Sequence, residues 1–147
     1  MSIITQTNLA DRLGAAELIR LTDDAGSAAV NTAVMDRAID EGEGEILNNL
    51  GQKYTLPLVL TDANSAAVVR AKCLDAVVYR LVVHRDRVVD ESLLAAYKAA
   101  VAWSERIATG ALGLIGETLT GSSPAPGGAM LIVGGEQVID RESMKGL

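Results

Sequence analysis

From Asn31 to Leu50, apolar side chains recur at spacings of three and four. Val34, Met35, Ala38, Ile39, Ile46, Leu47 and Leu50 share one face, while Asp36, Arg37, Asp40, Glu41, Glu43 and Glu45 take up much of the rest. That pattern predicts an amphipathic helix. Gly42 and Gly44 lie in its middle, each costing about 1 kcal/mol relative to Ala, and predict a bend there. Upstream, Leu9, Leu13, Leu18 and Leu21 supply a shorter periodic stretch. Asn8 is its expected N-cap and Asp11 the acidic residue of its first turn, and Gly14 divides it into two short helices. The run LTDDAGS (21–27) is rich in residues that cap or bend, and predicts a turn.

A third helical region opens at Thr61 or Asp62 and reaches about Val83. It is apolar around most of its circumference: Val68, Val69, Cys73, Leu74, Val77, Val78, Leu81 and Val82 leave only a strip with Arg70, Lys72, Asp75 and Arg80. Such a helix is either the centre of a bundle or covered by another subunit. The connector before it, GQKYTLPL (51–58), carries unusual apolar weight for a loop. Gly51 closes the preceding helix, Pro57 forbids a continuous rod, and Tyr54 and Leu56 are expected to turn their bulk into the bundle. HRDRVVDES (84–92) leads to a further helix, capped by Asp90 and ending before Gly110. Its core side is Leu93, Leu94, Tyr97, Ala100, Val101, Ile107 and Ala108, with Trp103 near the boundary.

Beyond Gly110 glycine and proline concentrate. TGSSPAPGG (120–128) has the composition of a linker, and AMLIVGGEQVIDRESMKGL (129–147) holds two short apolar stretches separated by Gly134-Gly135, a hairpin signal. A lone hairpin is marginal in water, so this one is expected to gain order by docking on a partner. The fold class is therefore mainly α: a helical bundle of four to five helices over residues 1–114, followed by a flexible linker and a short β-hairpin arm over 115–147.

Composition narrows the function classes. A chain of 147 residues suits one core, and with 49% hydrophobic residues, 3% aromatic and no Phe, that core must be built from Ala, Val, Leu and Ile. Small side chains let helices approach closely. The net charge of −6 argues against a duplex-binding face, since non-specific affinity comes from Lys and Arg neutralising phosphates. An acidic wall around a channel would instead repel DNA and keep it moving. Cys73 is the only cysteine, which excludes an intrachain disulfide, favours cytosolic assembly and predicts a small buried residue. MSIITQTNLADR lacks the basic-then-apolar order of a signal peptide, and no segment reaches the ~18–20 apolar residues of a membrane span.

Candidate chemistry is sparse. His84 is the only histidine and lies in a charged connector without an evident orienting partner; no Gly-x-Ser-x-Gly elbow or Gly-x-x-x-x-Gly-Lys-Ser/Thr loop is present. Asp36, Asp40, Glu41, Glu43 and Glu45 form the best candidate cation cluster, but their carboxylates spread around a helix axis and fit a solvated face better. If the cluster has a role, a wall facing DNA is the better fit. Arg80, Arg85 and Arg87 are the one basic concentration, and the interleaved Asp86 and Asp90 point to local or intersubunit ion pairing. No cofactor, no resident metal and no catalysis are expected.

Four blocks in order resemble the small Mu-like bacteriophage and prophage neck proteins: LADRLGAAELIRLTD (9–23), AIDEGEGEILNNLGQKYTLPL (38–58), AYKAAVAWSERIATGALGL (96–114) and VIDRESMKGL (138–147). Within the second, Lys53-Tyr54-Thr55-Leu56-Pro57-Leu58 looks like the family's Arg-Tyr-x-Leu-Pro-Leu signature. Lys53 departs from the usual Arg, Leu147 from the usual Phe, and Glu45 to Asn49 lack the tyrosine often found before the signature. These departures bear on partner contacts more than on fold. The resemblance implies a head–tail connector, or adaptor, forming a homo-oligomeric ring, dodecameric in similar proteins, between the portal protein and the next neck protein or tail terminator. DNA would pass through as cargo, and no membrane is involved. Expected interface residues are Tyr54, Leu56, Pro57, Leu58, Arg80, Arg85, Arg87, Met130, Ile132, Val138, Arg141, Met144 and Lys145, with Asp36, Asp40, Glu41, Glu43 and Glu45 toward the lumen. Two other classes stay open on the residues alone: a dimeric helical regulator or nucleic-acid-binding module, and an enzyme using Asp36 and Asp40 with a divalent cation.

Overall fold

The computed structural model describes residues 2–85 and 87–116. The expected linker and hairpin arm, with Met130, Ile132, Val138, Arg141, Met144 and Lys145, lie outside the described residues. Among the described residues the chain forms five helices and no strand: α1 (Gln6–Leu13), α2 (Ala15–Thr22), α3 (Thr32–Leu50), α4 (Ala63–His84) and α5 (Glu91–Ala108).

Gly14 separates α1 from α2 at φ +80°, a conformation that L side chains rarely adopt. The N-cap of α1 is Thr5, not Asn8. Asn8 occupies the third helical position, where the Thr5 hydroxyl accepts its amide while its own side chain accepts from the Thr5 amide. That reciprocal pair is a capping box, which Asn8 completes from inside the helix. Asp11 consequently falls outside the first turn. Asn31 caps α3, accepting from the amides of Ala33 and Val34, and Asp62 caps α4 through the Ser65 amide. Asp90 is the N-cap residue of α5 by position, but its carboxylate meets the Ser92 hydroxyl rather than a helix amide.

The turn after α2 is tied at both ends. The buried Thr22 hydroxyl donates to the Leu18 carbonyl at 2.7 Å and accepts from the Asn31 amide at 3.1 Å, joining the end of α2 to the cap of α3. Asp23 accepts from the amides of Ser27 and Ala28, and these bonds hold its carboxyl below the usual range.

α3, α4 and α5 pack on one another, with the α1–α2 pair laid against α4 and α3. Of the two explanations for the apolar circumference of α4, the bundle centre applies: this helix touches all four others, burying Val69, Cys73, Ala76, Val77, Val78 and Leu81. The two glycines of α3 differ in what they meet. α3 runs through both glycines as one helix, and a Cβ on Gly42 would lie 2.7 Å from the Val77 backbone nitrogen. Gly42 lets the two axes approach; Gly44 meets nothing nearby. Cys73 is fully buried beside this crossing, and burial, aided by the Glu43 charge, pushes its thiol up to about 12. A thiol so far from its thiolate is a packing residue.

Candidate functional site

The acidic run of α3 does not form one wall. Asp36, Asp40 and Glu41 are exposed, and Asp36 accepts from Gln6 Nε2 at 2.8 Å. Glu43 is the correction to the solvated-face expectation: it is 5% exposed and faces the segment ahead of α1. Its Oε1 accepts from the Ile3 amide at 2.8 Å, and its Oε2 accepts from the Ile4 amide at 2.9 Å and the Ser2 hydroxyl at 2.6 Å. Those donors replace the water a buried carboxylate loses. Glu45 is half-buried on another side of the helix, accepting from Arg80 at 2.9 Å and from the Tyr97 hydroxyl at 2.8 Å. Tyr97 stacks on Tyr79 with ring centroids 4.0 Å apart. Burial, and the bond its hydroxyl donates to Glu45, push the Tyr97 phenol up; the same carboxylate raises Arg80. Among the described residues no group of three or more His, Cys, Asp or Glu side chains could hold a metal ion.

Arg80 and Arg85 are engaged within the chain. Arg80 pairs with Glu45; Arg85 pairs with Asp24 at 2.9 Å and also donates to the carbonyls of Arg20 and Asp23. His84 Nε2 lies 3.2 Å from the same Asp24 carboxylate, so it has a partner that its sequence neighbours did not reveal. Together these groups fasten the end of α4 to the turn after α2. Arg87 is half-buried in a cleft of about 350 Å³ shared with Glu17, Arg20 and Asp90.

The connector between α3 and α4 divides in two. Tyr54 is 2% exposed, and its hydroxyl accepts from the Leu114 amide at 2.6 Å; Lys53 Nζ donates to the Leu112 carbonyl at 2.7 Å. This pair clasps the segment that follows α5, a role more specific than packing on a neighbouring helix. Leu56 departs from expectation. It is 45% exposed, lying outside over Gly51 instead of pointing inward. Pro57 is exposed after a cis Leu56–Pro57 bond, and Leu58 is half-buried. Pro57, Leu58, Val59 and Leu60 line an apolar groove with Ile3, Ser2 and Arg70. Sequence periodicity missed the contributions of Ser2, Ile3 and Arg70. The one available signal was the apolar Ile3-Ile4 pair ahead of the first helix.

Residues 4–133 match the family model described as Bacteriophage Mu, Gp36, a span that takes in the whole bundle and runs on past the last described residue. The chain belongs to the bacteriophage Mu Gp36 family. It is therefore a Mu-like phage protein. No curated protein matches it. No helix among the described residues is long and apolar enough to cross a membrane. The Gp36 match takes in Glu43, Glu45, Lys53, Tyr54 and residues 57–60, while Ser2 and Ile3, which bond Glu43 and line the groove, lie just ahead of it.

Proposed function

We propose that this Gp36-family chain is a structural virion protein, a head–tail connector that forms a ring between the portal and the next neck or tail component and takes no part in catalysis. The carrying observation is the family match over residues 4–133, which places the chain among Mu-like phage proteins. The structure supplies two supports. Asp36, Asp40 and Glu41 are exposed along one helix of an acidic protein, which suits a lumen that passes DNA without holding it. The polar groups that could serve chemistry are instead tied into the fold: Glu43, Glu45, Arg80, Arg85 and His84 all bond within the chain. In this reading the self-association, the portal contact and the contact with a further neck protein or tail terminator use the outer surface and residues 115–147.

The test is mass photometry of the protein alone and mixed with portal, followed by electron microscopy of the assembled neck. The expected result is a ring on the portal, with binding lost when residues 122–147 are removed. Portal binding by the truncated protein equal to that of the full chain would remove the arm from the contact. Failure of the full chain to bind portal at all would sink the connector reading.

A further inference from the structure

Between the segment ahead of α1 and the start of α4 lies a mostly apolar groove of about 330 Å³, formed by Ile3, Pro57, Leu58, Val59 and Leu60 with Arg70 as its charged wall. Val59 is 68% exposed, and Arg70 has no carboxylate partner among the described residues. An apolar surface beside an unpaired cation is a place for an apolar segment that carries an acid.

The chain supplies such a segment, and leaves the bundle beside the groove. The Ile115 amide donates to Ser65 Oγ at 3.1 Å, and the Gly116 carbonyl accepts from Thr61 Oγ1 at 3.1 Å; Thr61 directly follows Leu60 of the groove. Residues 117–128 then give a tether of up to about 40 Å at roughly 3.3–3.6 Å per residue, more than enough to return. After them come Met130-Leu131-Ile132-Val133, two glycines and Glu136. We propose that the groove holds residues 130–133 of the same chain, with Glu136 set against Arg70. A short tether holds the segment at a millimolar-range effective concentration, which favours the same chain over a second copy in dilute protein. In the connector reading, this contact parks the arm until a partner displaces it; the contact itself belongs to the isolated chain and is tested without portal.

The experiment is amide hydrogen exchange on the full-length chain over a dilution series, comparing wild type with Val59→Asp and Ile132→Asp. Val59 is exposed, so its substitution leaves the buried core in place. Amides 130–133 should exchange about tenfold faster in Val59→Asp than in wild type, and those of Leu58, Val59 and Leu60 about tenfold faster in Ile132→Asp. Arg70→Glu should give a smaller change in the same direction. Equal exchange in wild type and both apolar-site variants overturns the proposal. Protection that grows with protein concentration assigns the segment to a second copy and overturns the intrachain contact.

Discussion

Glu43 and Glu45 stand on either side of Gly44 in α3 and meet their surroundings in opposite ways. Glu43 is buried and binds only uncharged donors, two backbone amides and a hydroxyl. Glu45 is half-exposed and binds a guanidinium and a phenol. Residues two apart on a helix are turned by about 200°, so one faces the chain's N-terminal segment and the other the edge where α4 and α5 meet. The difference teaches that a run of like charges on one helix can be several unrelated devices. Glu43 is a structural peg, since two of its donors are backbone amides, that of Ile4 buried, and the bonds hold the N-terminal segment onto α3. Glu45 is a clamp near the surface, its own side chain and that of Arg80 each about one-third exposed.

Removing the peg should have the largest effect. In Glu43→Ala the amides of Ile3 and Ile4 lose their acceptors and regain partners only if residues 2–4 lift away, which takes the fully buried Ile4 out of the core. The expected loss is about 2–4 kcal/mol. Urea unfolding measures it, and Glu43→Gln, which keeps one acceptor oxygen, should lose less. A loss below that of a Glu45 substitution would erase the distinction between the two sites.

Much of the fold was legible because its signals are local. Hydrophobic patterning located α3, α4 and α5, Gly14 divided α1 from α2, α3 begins beside Asn31 where it was expected, and Asp62 is the cap of α4 out of the two residues offered, Thr61 and Asp62. What was not legible depends on long-range contact. The burial of Glu43 requires residues 2–4 to cross α3, and Gly42 is a crossing point because Val77 arrives from another helix. Thr5 displaced Asn8 as the cap because a capping box has a polar residue at both ends, and the sequence alone offers either as the start. The site was less legible than the fold. Tyr54 stood out by its apolar surroundings, but its bond to Leu114 joins segments sixty residues apart, and His84 meets Asp24 over the same separation. Leu56 looked like core because the strict apolar run around it hid that the chain turns outward after Tyr54.

A second effect sharpens the comparison from the neighbouring helix. Cys73 sits against the α3 crossing, and its thiol is raised by burial first and by the Glu43 charge second. The native state therefore keeps this proton up to about 12, whereas the unfolded chain releases it near the ordinary value of 9.0. The unfolded state binds fewer protons between those values, so this contribution to stability is complete below pH 9 and declines as pH rises toward 12. By pH 10 the loss from this group is about 1 kcal/mol. Urea midpoints from pH 8 to 10.5 should fall more steeply in wild type than in Cys73→Ala, whatever the packing cost of the alanine. Parallel slopes would mean that the thiol titrates normally in the folded protein.

The smallest effect belongs to the clamp, and salt separates it from the peg. The side chains of Arg80 and Glu45 are 35% and 28% exposed, so their attraction is largely screened, and Glu45→Gln should cost about 0.5 kcal/mol. Raising sodium chloride to about 1 M shortens the screening length to about 3 Å and should remove most of that difference. The cost of Glu43→Ala should hardly move under the same change, because its donors are neutral and it has no cationic partner among the described residues. Salt dependence of equal size at both positions would mean that Glu43 is held by long-range charge and not by its amides, and the peg and the clamp would then be one electrostatic device.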